Sequence, residues 1–500
     1  MDDGHAVLWS WLMDHAPVDT VRQALADGVV LDTWINGDAE EQVGAAAETR
    51  LVQEQERWVT TALTTGAIFP ARPMPDAYVR TVFHDLLFST ALYAAHQAKG
   101  RRTVDVPDVE EAAARLRRFV ARAPAGLTAA GVVFFVIATH EDLNAIAYYG
   151  RMAADDFLHG RLHRPWSPVV LQAQLALYHR LGWVDRVFTG TGDMLTLTDR
   201  GRAVVERLRH ILAASGELAW RADNQRWAVF GEMDYDTVLA RVAPDANAQT
   251  AQYLKSLGLR AGMRVLEVGC GTGRATVDLG LADLVGPGGM VVALDPSRTL
   301  LDKLEAKIRA RGIRNVQVVQ GIAEALPFPA HTFDAAVAVA ALHFTDVDRA
   351  VAEMARVTKP GGLVSALCPP PEFDVRTIPM VALWFRPLTA LAERLGVPFG
   401  EKNGLPRGRL QAAFARHLTD VVVTDLPRTV SAEDYRSFLT FVLKGAAFFQ
   451  NILCRLPYHE RGALIQRLEE TGAAIAAHTT PAEKQAVVYN EAAYGRVPGA

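Results

Sequence analysis

The pattern of apolar and polar positions divides the chain into a helical part and a part in which strands and helices alternate. Before residue 125, apolar side chains recur at helical spacing within 7–12, 21–31, 52–63 and 79–95. After residue 262, short β-branched runs are separated by helical stretches, which is typical of a parallel sheet with helices between its strands. The pattern therefore predicts a mainly α N-terminal region followed by an α/β domain.

Between these parts, a helix, two strands and a second helix follow one another. They are predicted over 167–181, 182–187, 194–198 and 199–212. This order resembles a winged helix. Such domains bind DNA. They also precede plant-type O-methyltransferase domains, where they form dimers and one side of the substrate site. The predicted recognition helix offers few side chains to base edges, which favours the structural role.

The central motif of the second part is Met-Arg-Val-Leu-Glu-Val-Gly-Cys-Gly-Thr-Gly, at 263–273. A buried strand runs into a glycine loop, and a helix is predicted over 274–281. Glycines permit a tight bend and let a ligand approach the backbone, while a helix N-terminus attracts an anionic group. The spacing is G-x-G-x-G, one residue shorter than the G-x-G-x-x-G of dinucleotide-binding loops. That spacing disfavours a pyridine-nucleotide oxidoreductase.

Further apolar strands follow this motif in order. They are predicted over 291–294, 316–320, 333–340 and 363–368. Asp295 follows the first of them, twenty-two residues after Gly273. A carboxylate at the tip of a strand beside the glycine loop can accept hydrogen bonds from both hydroxyls of a ribose.

Together these motifs resemble the class I S-adenosylmethionine-dependent methyltransferases, most of all the small-molecule enzymes typified by the ubiquinone/menaquinone C-methyltransferases. The resemblance covers roughly residues 245–495. It implies a Rossmann-like seven-stranded sheet, with a sixth strand at 421–424, an antiparallel last strand at 483–489, and helical lid insertions at about 371–418 and 431–480. A capped helix is predicted to begin at Ser431 by the Ser-x-x-acid rule. The implied cofactor is S-adenosyl-L-methionine.

The resemblance also implies which residues hold that cofactor. Backbone at the glycine loop would lie against its amino-acid and ribose parts, Glu267 near its ammonium, and Asp295 on its ribose. The acid that usually contacts the adenine is replaced by Ile322, so either backbone at Ala323, with Ile322 packed on the ring, or Glu324 takes that role. The predicted cofactor-binding residues are Glu267, Gly269, Cys270, Gly271, Thr272, Gly273, Asp295, Pro296, Ile322, Ala323, Glu324 and Ala340.

Methyl transfer requires alignment of the reacting atoms and removal of water more than acid–base machinery. A general base is needed only where the acceptor is protonated. His343, just after the fourth predicted strand, is the candidate base, and a packing histidine is an equally supported alternative. No Asp/Asn-Pro-Pro-Tyr motif follows that strand, which argues against methylation of nucleic-acid amino groups. The predicted reaction is methyl transfer to an O, N or C atom of a small, largely apolar molecule.

Charge and composition narrow the partners and the compartment. Residues 1–240 have a net charge of −8 and residues 241–500 a net charge of +4, so the N-terminal half is a poor platform for phosphates. Three widely spaced cysteines provide neither a disulfide framework nor a zinc site, and no uninterrupted apolar run approaches membrane-spanning length. We expect a cytoplasmic protein without a metal, and the resemblance to winged helices that dimerise suggests a homodimer through the N-terminal region. A winged-helix transcriptional regulator that senses the cofactor is the alternative.

The predicted elements divide the chain into four parts. They are a helical domain at 1–125, a winged-helix-like domain at 126–215, a linker at 216–250 and a methyltransferase domain at 251–500.

Overall fold

The computed structural model describes residues 3–31, 42–65, 76–99, 103–162, 168–190, 192–223, 233–369, 374–397, 405–445 and 447–499. The chain divides into two compact units. The helical unit comprises Met1–Ala228 together with Gln450–Arg467, and the sheet unit comprises Val229–Phe449 together with Leu468–Ala500. The sequence gives no sign that a late segment groups with the N-terminal unit. The predicted domain boundaries stay predictions.

The helical unit contains the periodic helices that the sequence predicts. They are α1 (Asp3–Met13), α2 (Ala16–Ala26), α3 (Ala45–Thr65), α4 (Asp76–Lys99), α5 (Val106–Arg122), α6 (Thr128–Tyr149), α7 (Ala154–Leu158), α8 (Pro168–Arg180) and α9 (Asp199–Ala214). Strands β1 (Gln42–Val43) and β2 (Thr103–Val104) pair in parallel between them. The mainly α character of the N-terminal region is therefore confirmed.

Helix α6 forms the core of the helical unit, and it is not among the helices predicted from the sequence. Apolar residues occur on all sides of this helix and leave no polar face, as expected of a helix that is buried on every side. By length and composition α6 could cross a membrane, but a core helix passes the same test, and its apolar window is entirely buried. It also contains the buried carboxylate Glu141, which the Arg221 guanidinium approaches to 2.7 Å. Pairing of this kind is what makes a buried charge tolerable.

A small antiparallel sheet in the helical unit contains β3 (Met152–Ala153), β4 (Val184–Thr189) and β5 (Gly192–Leu197), in the order β3-β5-β4. Helix α8 precedes the β4–β5 hairpin and α9 follows it. The Thr198 hydroxyl caps α9 by accepting a hydrogen bond from the Gly201 N–H at 3.0 Å. The order helix, hairpin, helix is the one expected from the sequence; the winged-helix assignment and its role stay predictions.

The sheet unit has a seven-stranded sheet in the order β11-β12-β10-β9-β6-β7-β8. Its strands are β6 (Arg264–Val268), β7 (Met290–Asp295), β8 (Val316–Gln320), β9 (Phe333–Val339), β10 (Thr358–Cys368), β11 (Thr419–Ser431) and β12 (Gln485–Arg496). The pairs among β6 to β10 are parallel, and β12 runs antiparallel to β10 and β11. This confirms the predicted Rossmann-like sheet with an antiparallel last strand. The strand order reverses beside β6, where open α/β sheets bind ligands.

The helices of the second half connect these strands. They are α10 (Tyr235–Val242), α11 (Ala246–Ser256), α12 (Leu281–Val285), α13 (Arg298–Arg311), α14 (Val347–Val357), α15 (Pro379–Trp384), α16 (Arg386–Arg394), α17 (Arg409–His417), α18 (Tyr435–Gly445), α19 (Ala447–Leu453) and α20 (Tyr458–Ala476). The boundaries between the units fall within α19 and α20. Part of the predicted linker is therefore helical, because α10 and the start of α11 lie in it.

Three local predictions differ from the structure. The helix predicted over 274–281 is a π-helical turn, Arg274–Asp278, followed by α12. Strand β11 has 13 residues instead of four, because β12 pairs with it over most of its length while its exposed positions give little periodic signal. Ser431 ends β11 and does not begin a helix; Asp434 caps α18 by accepting a hydrogen bond from the Ser437 N–H at 3.1 Å.

Candidate functional site

The site lies at the carboxyl ends of the parallel strands, where backbone hydrogen bonds join the loops after β6, β7 and β8. The N–H groups of Gly269 and Cys270 donate to the Leu294 carbonyl at 2.7 and 3.0 Å. The Gly321 N–H donates to the Asp295 carbonyl at 3.2 Å. Segments that are separated along the sequence therefore meet at one edge of the sheet, as expected from the order of the strands.

A glycine is needed at two positions of the loop for different structural reasons. Gly269 has a φ of 72°, and a Cβ built on it would lie 2.3 Å from the Cβ of Ala341. Gly271 has a φ of 55°, but a Cβ built there would meet no heavy atom within 4 Å in the described ranges. Packing thus excludes a side chain at Gly269, whereas Gly271 borders open space. The loop keeps a face of bare backbone that a ligand can approach.

Asp295 turns its carboxylate towards this loop. Its Oδ2 accepts a hydrogen bond from the Gly271 N–H, and its Oδ1 one from the Ser297 N–H, both at 2.9 Å. The residue is only 6% exposed, and this burial raises the pKa of the carboxyl, while the two N–H donors oppose that rise. A carboxylate has about four acceptor positions, so two hydrogen bonds leave capacity for further donors.

Glu267 is the second buried carboxyl at the loop. It is 1% exposed, and the Thr276 hydroxyl donates a hydrogen bond to it. Burial raises the pKa of Glu267 to about 7, although the Thr276 hydrogen bond and the charge of Arg274 act to lower it. A carboxyl that titrates near neutrality is sensitive to a nearby cation, because an ammonium group favours the ionised form.

A set of side-chain contacts from an upstream helix holds the loop; we call Thr272, Asp236, Lys307 and Asp278 the loop clasp. The Thr272 hydroxyl donates to the two carboxylate oxygens of Asp236, 3.1 Å from each. The Lys307 ammonium lies 2.6 Å from both Asp236 and Asp278. The clasp joins α10, the glycine loop and α13. Sequence reasoning missed it, since nothing in the local pattern around Asp236 relates it to a loop 36 residues later.

The segment that contains the glycine loop and Asp295 is similar to known proteins. Residues 265–362 match a family model described as "Methyltransferase domain". The demethylmenaquinone methyltransferase of Geobacillus stearothermophilus is 38% identical over 115 residues, which are 23% of this chain and 48% of that protein. Residues 265–362 are a class I S-adenosylmethionine-dependent methyltransferase domain.

Other curated proteins and solved structures are also similar to part of this chain. The ubiquinone/menaquinone biosynthesis C-methyltransferase UbiE of Hahella chejuensis is 39% identical over 127 residues, 25% of this chain and 49% of that protein. The chain spans about half the length of these curated relatives. Among solved structures, the YcgJ protein of Bacillus subtilis is 20% identical, with 51% of this chain and 99% of that chain covered and a TM-score of 0.32.

The region predicted to face the adenine follows β8 in the methyltransferase domain. Ile322 is 50% exposed and Ala323 is buried. The Oε1 of Glu324 accepts a hydrogen bond from the Asp346 N–H at 2.9 Å, at the start of α14. One oxygen of the Glu324 carboxylate thus has a backbone partner, and both alternatives for the adenine contact, backbone at Ala323 and the Glu324 side chain, stay predictions. Pro296, also predicted to contact the cofactor, accepts a hydrogen bond through its carbonyl from the Gln320 amide at 3.0 Å.

The end of β9 contributes Ala340 and His343. Ala340 is a non-glycine residue with a φ of 54°, and its N–H donates to the Leu367 carbonyl at 2.6 Å. Strained backbone of this kind concentrates at functional sites. His343 lies in a short 3₁₀ turn, Leu342–Phe344, with its ring centroid 3.8 Å from that of Phe344. The structure thus brings His343 to the same sheet edge, and its role as a base stays a prediction.

Cys270 and the absence of a metal cluster complete the description. Cys270 is buried, and burial raises the pKa of its thiol well above its usual value. This fits a small residue inside the loop better than a nucleophile, because the thiolate is the reactive form.

Within the residues that the structure describes, no group of three or more His, Cys, Asp and Glu side chains could hold a metal ion.

Proposed function

We propose that the chain transfers the methyl group of S-adenosyl-L-methionine to an O, N or C atom of a small, largely apolar molecule. The observation that supports this most directly is the hydrogen bond between Asp295 and the Gly271 N–H. It places a buried carboxylate beside bare backbone at the ends of two adjacent parallel strands. That combination suits a ribose held against a glycine loop.

The residues of the site fit the cofactor group by group. Open space beside Gly271 accommodates a ligand against the backbone, and Asp295 retains acceptor capacity for ribose hydroxyls. Glu267 would lie near the cofactor's ammonium and ionise in its presence. Bound S-adenosylmethionine supplies an electrophilic methyl group on a sulfonium. The chain's own residues contribute alignment, removal of water and, at His343, a proton acceptor.

The names of the relatives suggest the class of acceptor. Those relatives are called demethylmenaquinone methyltransferase and ubiquinone/menaquinone biosynthesis C-methyltransferase. We therefore propose a quinone-type ring, in its reduced hydroquinone form, as the acceptor. The matches cover about a quarter of this chain. The assignment of the acceptor is therefore more specific than the assignment of the cofactor, and a separate assay tests it.

Two measurements on the full chain test this function. Calorimetry with S-adenosylhomocysteine and NAD in parallel should show binding of the first and none of the second, and the reverse result would contradict the proposal. Transfer of a labelled methyl group to reduced demethylmenaquinone then tests the acceptor. Cofactor binding without any transfer would reject the quinone class while leaving the cofactor assignment intact.

A further inference from the structure

Helix α10 is a short element whose two ends are attached to different parts of the sheet unit. It has eight residues, Tyr235–Val242. An isolated helix shorter than roughly 12–15 residues is only marginally stable in water, so the order of α10 depends on tertiary contacts. The loop clasp contacts its first turn, and α18, which lies in the lid insertion predicted over 431–480, contacts its last turn.

The first turn of α10 is attached to the glycine loop and to α13. Asp236 accepts a hydrogen bond from the Thr272 hydroxyl, and it lies 2.6 Å from the Lys307 ammonium. Just before the helix, the Lys303 ammonium donates a hydrogen bond to the Met233 carbonyl at 3.1 Å. Since Thr272 is one of the predicted cofactor-binding residues, a ligand that restricts the glycine loop also restricts the start of α10.

The last turn of α10 is attached to the start of α18. The Nη1 of Arg241 donates hydrogen bonds to the Asp434 carboxylate at 3.0 Å and to the Ser437 hydroxyl at 3.4 Å. Asp434 is the residue that caps α18, and its Oδ2 also accepts a hydrogen bond from the Ser437 hydroxyl at 2.9 Å. Arg241 therefore holds the cap that satisfies the first turn of α18.

Apolar packing joins the same two helices. Leu239, Ala243 and Ala246 form a small buried cluster, and Phe441 of α18 packs against it. This cluster is separate from the larger ones that cover the central sheet. A helix held by so small a cluster opens at a lower free energy than the core, so its order can respond to a ligand.

We propose that α10 transmits cofactor binding from the glycine loop to α18, with Asp236 and Arg241 as the positioning residues at its two ends. This inference rests on the proposed function. A bound cofactor restricts the loop, and the conformational entropy that α10 and the start of α18 lose on becoming ordered is then smaller. Because α18 lies in the predicted lid insertion, this part of the lid becomes ordered when the cofactor is present.

A purely structural role of Arg241 leads to a different expectation. Its side chain is 59% exposed, so its removal leaves the core intact and only loosens the contact with α18. Loosening alone would speed the hydrogen exchange of α18 to the same extent with and without the cofactor. Transmission predicts instead that the effect of the cofactor on α18 is lost.

Hydrogen exchange of the full chain, with and without saturating S-adenosylhomocysteine, measures this effect. In the wild-type protein, S-adenosylhomocysteine should slow the exchange of α18 amides by about fivefold or more, the lower end of typical coupling between sites. Arg241→Leu should reduce this ratio to below about twofold, because the contact with the Asp434 cap is lost. The amides of the glycine loop, 269–273, should keep their protection. Arg241→Lys should restore part of the ratio, since an ammonium group still reaches the cap.

A break at either end of α10 should be sufficient. Asp236→Ala, at a concentration of S-adenosylhomocysteine that saturates this variant, should also reduce the ratio for α18, although the contacts of Arg241 remain. Arg436→Gln is the matched control, because it removes an exposed ion pair between α18 and Glu469. It should keep the wild-type ratio.

The results separate this proposal from the proposed function. A wild-type ratio near one, or a ratio that survives Arg241→Leu or Asp236→Ala, overturns transmission through α10. Faster exchange of α18 in Arg241→Leu with an unchanged ratio assigns Arg241 to local stability and overturns it as well. Protection confined to the glycine loop rejects transmission and leaves the proposed function intact. Failure of the wild-type protein to bind S-adenosylhomocysteine overturns the proposed function itself.

Discussion

Glu267 makes the strongest quantitative prediction, because its burial couples proton binding to both stability and cofactor affinity. Burial raises the pKa of Glu267 to about 7 from an ordinary 4.5. At 1.36 kcal/mol for each pKa unit, that shift corresponds to about 3 kcal/mol for the ionised form in the folded protein. The residue is fully buried, so solvent screening does not reduce this figure as it would at the surface.

The sign of the effect on stability follows from where the proton is held more tightly. The folded state retains the Glu267 proton up to about pH 7, whereas the unfolded chain releases it near pH 4.5. The contribution of Glu267 is therefore fully present below pH 4.5 and is lost as the pH rises to about 7. Compared with Glu267→Gln, the free energy of unfolding of the unliganded wild-type protein should fall by about 3 kcal/mol across this window. Urea denaturation at several pH values measures it.

The affinity for the cofactor should rise as the pH rises, whereas the free energy of unfolding falls. An ammonium group beside Glu267 favours the ionised carboxylate, so binding below about pH 7 releases a proton. The affinity for S-adenosylhomocysteine should rise by up to about tenfold for each pH unit between about pH 5 and 7, and level off above that. Calorimetry in two buffers of different ionisation enthalpy counts the released proton. In Glu267→Gln both the slope and the proton release should disappear.

One result would refute this reasoning. If the affinity of the wild-type protein for S-adenosylhomocysteine is as independent of pH as that of Glu267→Gln, the ammonium does not lie near Glu267. A stability difference that nevertheless follows pH would then show that Glu267 is buried as described but is a structural residue of the loop.

Three further variants test other parts of the site. Asp295→Ala should weaken binding of S-adenosylhomocysteine by about 1–3 kcal/mol, because ribose hydroxyls lose their acceptor; an unchanged dissociation constant in calorimetry would contradict the ribose assignment. His343→Ala should lower the turnover of labelled methyl groups by about a hundredfold or more with little change in cofactor affinity if the ring acts as a base, and wild-type turnover would assign it to packing. Asp236→Ala removes the centre of the loop clasp and should reduce cofactor affinity by about threefold to tenfold, whereas Asp302→Ala, which removes an exposed ion pair of the same helix as Lys307, should not.

The amino-acid sequence by itself determined the succession of parallel strands and the position of the cofactor loop. Each strand from β6 to β10 is a short apolar run, and Gly269 and Asp295 follow two of these runs directly. Such signals are local, since a strand, a glycine turn and a strand-end carboxylate each show within a few residues. Parallel strands with intervening helices then place their carboxyl ends at one edge, so the neighbourhood of Asp295 and the glycine loop follows from the order of elements.

The tertiary structure decided what the local pattern does not encode. Asp236 reaches Thr272, and Glu491 comes to lie beside Cys368, because sheet order and helix packing bring distant segments together. The full length of β11 likewise depends on the partner strand β12, and the grouping of Gln450–Arg467 with the helical unit on contacts far along the chain. Periodicity reports which face of an element is buried, but it does not report which distant residue covers that face. For this reason the glycine loop and Asp295 can be found in the sequence, whereas the contact between Asp236 and Thr272 becomes visible only once the chain is folded.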